Sequence, residues 1–258
     1  MPRNKFETYI HLSPSIPSST ETQQFLVLVF EKFRWFTPIR YGDADLSEPL
    51  PPGKLDLGTL IDYYEEHGKL CVAAKTDRDF IWVFSRGSGP GLYTGKIVWA
   101  TSALCDSKAS WYAAHIEQVK ELMQLFQSPL ATAALASDFE RKCWRWVQEG
   151  MGETLTPTVR GYGEGLAGLF WRNFYGPPFV RMFGERLGAL PPECRRPLGE
   201  DIVLVQPYEL PTQAGTESGT ARERELISLL GPECFYDHEH HTLPTRRPVL
   251  DALGQSVH

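Results

Sequence analysis

Residues 165–184 read Gly-Leu-Ala-Gly-Leu-Phe-Trp-Arg-Asn-Phe-Tyr-Gly-Pro-Pro-Phe-Val-Arg-Met-Phe-Gly. Six aromatic side chains in twenty positions need burial. The glycines and prolines among them restrict the backbone path. The pattern predicts a short buried helix, a rigid break at Gly176-Pro177-Pro178 and a second short helix. Trp171 and Phe174, three apart, would share one face of the first helix. No side chain here stands at a spacing suited to acid–base or nucleophilic chemistry. The segment reads as core.

The rest of the chain must supply sheets and helices around it. A first strand is expected over 6–12. Serine and threonine at 18–22 offer N-cap oxygens. Phe25, Leu26, Val29, Phe33 and Phe36 then recur at helical spacing up to Thr37-Pro38. Positions 39–41 suit a short strand and 43–53, with three prolines, a loop. Leu57, Leu60, Ile61 and Tyr64 mark a second helix, stopped by Gly68. Strands follow at 69–75 and 80–85, a turn at 87–91 and a strand at 96–101. Ile116, Val119, Leu122, Met123 and Phe126 form an amphipathic helix that ends before Pro129. Alternation over 139–147 suggests a half-exposed strand with Trp144 and Trp146 on one side. Further on come a short strand at 201–206, a polar flexible stretch at 212–220 and a last helix at 223–230, with a loosely ordered end from Thr242.

This order lacks regular βαβ alternation. It predicts an α+β fold: a mixed or mainly antiparallel sheet with helices packed on one face. The expected division is one α+β domain over 1–210, which two similar lobes at 1–149 and 166–210 could share. A polar C-terminal extension with one short helix would occupy 211–258. No run of eighteen apolar residues occurs. Residues 1–6 lack the apolar core of a signal peptide, so the expectation is a cytoplasmic protein without membrane association. Cys71, Cys105, Cys143, Cys194 and Cys234 form no C-x-x-C pair and read as reduced thiols. A net charge of −6 argues against binding nucleic acid.

Two patterns touch on catalysis. Gly163, Gly165 and Gly168 match G-x-G-x-x-G, but the predicted helix after them is broken, and no strand ends in an acidic residue where a ribose contact belongs. Asp237-His238-Glu239-His240-His241 concentrates metal-capable side chains. His238 and His240 would align on a strand, His238 and His241 on a helix. Either pair could serve a metal-dependent hydrolase. A third ligand is not designated, and a solvated loop explains the cluster as well. The reading therefore carries no catalytic residue, no metal ligand and no cofactor.

Charge placement is more informative. Between positions 43 and 66 lie Asp43, Asp45, Glu48, Asp56, Asp62, Glu65 and Glu66 against Lys54 alone. Tyr41, Tyr63 and Tyr64 are interleaved. Such a surface suits a basic partner, because opposite fields speed encounter and aromatics anchor the complex. The expected partner-binding residues are Asp43, Asp45, Asp62, Tyr63, Glu65 and Glu66. A solvated loop and helix face is the plainer alternative. Tyr64 also continues the apolar stripe of Leu57, Leu60 and Ile61.

The order of elements, the segment 171–184 and the strand at 202–206 resemble bacterial immunity proteins of polymorphic-toxin systems. The nearest group is the immunity protein 52 family, usually encoded beside toxins with a restriction-endonuclease-like domain. The resemblance spans residues 5–210 and rests on aromatic and glycine placement. It implies a cytoplasmic, non-enzymatic α+β protein that blocks a cognate toxin. A nuclease is one such toxin; its polyanion-binding cleft is basic, and an acidic inhibitor could occupy it.

Overall fold

The computed structural model describes residues 5–13, 17–51, 55–76, 78–84, 95–102, 109–150 and 152–250. Lys54, Cys105, the turn at 87–91 and the last eight residues of the chain lie outside them. The fold is α+β; the described residues form ten strands in antiparallel pairings and a separate two-stranded hairpin. Two compact units divide between Ser128 and Pro129.

The first unit contains β1 (Phe6–His11), α1 (Ser19–Val27), β2 (Arg40–Gly42), β3 (Glu48–Pro49), α2 (Leu57–His67), β4 (Lys69–Ala73), β5 (Phe80–Phe84), β6 (Lys96–Thr101) and α3 (Ala109–Leu125). Its strands run in the order β1-β6-β5-β4-β2-β3. A capping box starts α1: Ser18 N–H donates to Glu21 Oε2 at 2.8 Å and Glu21 N–H to Ser18 Oγ at 3.2 Å. The apolar face Phe25, Leu26 and Val29 is closed to solvent. The helix was expected to reach Thr37. Instead it widens into a π-helical turn at Leu28–Lys32, with Phe33 N–H bonded to the Leu28 carbonyl. The chain then leaves the helix, and Trp35 stacks on Trp99 with ring centroids 3.7 Å apart. That aromatic contact replaces a further helical turn.

The second unit contains β7 (Leu130–Leu135), α4 (Ala136–Cys143), β8 (Trp144–Glu149), β9 (Gly152–Pro157), β10 (Arg172–Tyr175), α5 (Pro177–Phe183), β11 (Arg195–Pro197), β12 (Val203–Val205) and α6 (Glu217–Leu230). Four strands lie in the order β11-β12-β10-β7, while β8 and β9 form the hairpin. Three local expectations change here. The first predicted helix of 165–184 is absent: 166–171 is irregular and β10 follows. Asn173 accounts for this. Its side chain accepts from Phe170 N–H at 3.0 Å and donates to the carbonyls of Phe170 and Val205, so it binds a bend and a neighbouring strand together. Phe174 pairs with Ala131 on one side and Leu204 on the other, and a large ring opposite a methyl fits the pleat. The strand expected over 139–147 begins only at Trp144. Before it, Asp138 and Lys142 pair at i,i+4, which supports a helical turn. The stretch 212–220 is not loose: Thr216 Oγ1 accepts from Gly219 N–H and caps α6.

Core residues of the second unit come from both sides of position 210. Tyr175, Phe179, Phe183 and Leu187 pack with Leu226, Leu230, Cys234 and Phe235. Gly165 adopts φ +114°, and a Cβ there would meet the Pro244 ring at 2.5 Å, so glycine lets the returning chain close in.

Candidate partner-binding surface

The acidic, tyrosine-bearing surface is built on α2 of the first unit. Asp56 Oδ1 accepts from Thr59 N–H and caps its start. Gly68, at φ +66°, ends it, donating to the Tyr64 carbonyl at 2.7 Å. Leu60 and Tyr64 face inward and are buried. Asp62, Glu65 and Glu66 lie on the opposite, exposed side. The three tyrosines therefore divide. Tyr64 is 3 % exposed and donates its hydroxyl to the Pro17 carbonyl, a core role.

Tyr63 stands on the flank. Its ring stacks on His67 at 4.1 Å and meets Tyr41 edge-on at 5.4 Å. Burial first, then the charges of Asp43, Asp45 and Glu48, raise its pKa, so the loop acids and the helix tyrosine share one field. The charges of Asp43 and Asp45 thus act on Tyr63, and Lys69 opposes them. The structure also adds residues outside the acidic count. His67 was legible as the i+4 neighbour of Tyr63. Lys69 was not: the pairing of Gly42 with Cys71 on β2 and β4 brings its ammonium onto the Asp43 carboxylate. That hydrogen bond holds the Asp43 carboxyl below its usual range and raises the Lys69 pKa. Asp43 is therefore a locally compensated charge. Asp45, Asp62, Glu65 and Glu66 carry the exposed negative field.

The histidine turn directs its rings to separate partners. His238 Nε2 lies 2.7 Å from the Ala167 carbonyl and His241 Nδ1 3.4 Å from the Tyr236 hydroxyl. Asp237 Oδ1 accepts from the N–H groups of Glu239 and His240, while Oδ2 meets His240 Nδ1 at 2.8 Å. Among the described residues no three His, Cys, Asp or Glu side chains are grouped to hold a metal. The backbone N–H of His240 first, then its ring, push the Asp237 carboxyl down from 3.8 to about 2. A depressed carboxyl stabilises the fold fully above its ordinary pKa and loses that contribution as pH falls through its folded value. A carbon-detected NMR titration should place the Asp237 midpoint near 2. A midpoint at 3.8 would mean that the turn is open in solution.

The other sequence features resolve as structure. No helix directly follows the glycine pattern at 163–168; Gly168 instead lies against the Lys142 stem, whose Cδ a Cβ at this position would meet at 3.3 Å. Cys71, Cys143, Cys194 and Cys234 are free thiols, and burial pushes the Cys71 thiol up to about 12. Trp144 and Trp146 are exposed on the hairpin. No helix among the described residues is long and apolar enough to cross a membrane.

No family model and no curated protein matches this chain. The α+β fold itself does have a counterpart. The chain is similar to the solved structure of the T6SS protein PA0821 of Pseudomonas aeruginosa, with a TM-score of 0.54 at 11% identity. The match covers 87% of this chain and 72% of that one. At that identity the likeness describes the fold. The resemblance to the immunity protein 52 family rests on the residues quoted for it.

Proposed function

We propose that this chain is a non-enzymatic, cytoplasmic binding protein of immunity or antitoxin type, which blocks a cognate bacterial toxin with a basic surface. A nuclease is the kind of toxin whose cleft such a surface fits best. The observation that carries the reading is the placement of Tyr63: an aromatic ring set edge-on to Tyr41, on the flank of the helix that exposes Asp62, Glu65 and Glu66, with Asp45 exposed on the loop after Tyr41. Interfaces use this combination, with charges steering encounter and an aromatic anchor slowing release. The fold shared with a protein named for a T6SS is compatible with a place beside a secreted toxin.

The test is binding kinetics against the product of the neighbouring gene at two salt concentrations. Replacing Asp62, Glu65 and Glu66 together by Lys should slow association roughly tenfold or more at low salt. The effect should shrink as salt rises, because exposed charges are screened beyond about 8 Å at physiological ionic strength. Folding stability should change by less than about 0.5 kcal/mol. Tyr63→Ala should act on dissociation instead. An unchanged association rate in the triple-lysine variant would remove this surface from the interface.

A further inference from the structure

The hairpin of β8 and β9 is the most exposed regular element of the second unit. None of its twelve strand residues is buried. Its outer face pairs Trp144 with Pro157 and Trp146 with Leu155. Trp144 is 45% exposed, Trp146 66% and Leu155 45%. A lone two-stranded ribbon is marginally stable in water, and large rings left in solvent mark binding surfaces. The root of this ribbon is nevertheless firmly held. Thr158 donates from its N–H to the Cys143 carbonyl at 2.9 Å and from Oγ1 to the Lys142 carbonyl at 2.7 Å. Glu149 and Glu153 flank the tip, and neither meets a cation among the described residues.

From this the geometry points to a second protein-docking element: the β8–β9 hairpin inserts Trp144, Trp146 and Leu155 into an apolar cleft of a partner protein whose margin is basic. Area decides against a second copy of this chain. Six residues at about 3.3 Å and two strands about 4.8 Å apart offer a face of roughly 200 Å². A stable interface needs about 800 Å² from each partner. Flat self-pairing through this face falls short, whereas a cleft also closes over the edges and wraps both tryptophan rings. Charge sets the margin: the tip carboxylates meet no cation among the described residues, Glu149 accepting only from Thr154 Oγ1 at 3.1 Å, and favour Lys or Arg facing them. The root bonds set the ribbon in advance, so little ordering is needed on binding.

The experiment uses the full chain and the product of the neighbouring gene. Trp146→Ala should weaken binding about 30-fold or more, through faster dissociation, with an unchanged melting temperature. Glu149→Lys with Glu153→Lys should slow association at low salt. Hydrogen exchange on the wild-type complex should show slowed amides between 144 and 157, whatever the variants do. Four results overturn the inference: no complex with the wild-type chain; equal binding by Trp146→Ala; no protection at 144–157 in the wild-type complex; or self-association in sedimentation, or binding to phosphatidylcholine vesicles, that Trp146→Ala abolishes. Loss of binding in the triple-lysine variant of α2 alone, with the hairpin variant intact, overturns the hairpin and leaves the acidic surface standing.

Discussion

Trp171→Ala is expected to destabilise the second unit by about 3–5 kcal/mol, the range for deleting a closed-off large aromatic. Trp171 has no solvent exposure. Its indole N–H donates to the Glu209 carbonyl at 2.9 Å, and the Arg172 guanidinium lies 4.0 Å over the ring. Arg172 in turn donates to Gln206 Oε1. Truncation opens a cavity, leaves the Glu209 carbonyl without its donor and removes the ring under the Arg172 guanidinium, so the losses share one sign. Thermal melting followed by circular dichroism reads the result, at roughly 2–4 °C for each kcal/mol in a chain of this size. A shift near zero would show that water reaches the ring.

Lys142→Met should cost a similar amount, about 3–5 kcal/mol, for a different reason. The Lys142 ammonium is buried and donates to Asp138 Oδ2 at 3.0 Å, to Glu223 Oε1 at 2.9 Å and to the Leu169 carbonyl. Tyr208 donates to the same Glu223 oxygen at 3.0 Å, and Arg141 reaches Asp138 Oδ1 at 2.6 Å. Methionine keeps the stem beside Gly168 and Phe170 but strips the charge, leaving two buried carboxylates with too few donors. Adding Asp138→Asn and Glu223→Gln to the variant should recover part of the loss, since neutral amides cost less to bury. Urea denaturation of the single and combined variants gives the coupling. A loss under about 1 kcal/mol would mean that the network is hydrated.

Much of the first unit was legible because its signals are local. Leu57, Leu60 and Tyr64 repeat at the helical period, and Gly68 supplies the left-handed stop. The polar residues of 76–79 separate β4 from β5. Pro129 ends the run that forms α3. In the second unit local signals misled. Ala131, Ala133 and Ala134 give β7 little strand character of their own, yet all are buried in it. Alternation at 143–147 continues in the sequence back to Phe139, yet there the i,i+4 ion pair of Asp138 and Lys142 supports a helix. Aromatic density in 165–184 marked burial correctly but not conformation, because Phe and Trp are buried as readily in strands as in helices.

The sequence by itself determined the α+β class, the burial of the aromatic segment and the concentration of acid between 43 and 66. These follow from composition, period and capping, which act within one turn or one pleat. Tertiary structure alone decided which of those acids stay exposed as bare charges and which tyrosine faces outward. Lys69 reaches Asp43 from 26 residues away through strand pairing, and Lys142 reaches Glu223 across 81. Tyr63 and Tyr64 are chemically identical neighbours; a rotation of about 100° per helical residue, set by how α2 packs, sends one to the core and the other to the surface. Residue type sets what each side chain can do, and packing sets which of them meet solvent.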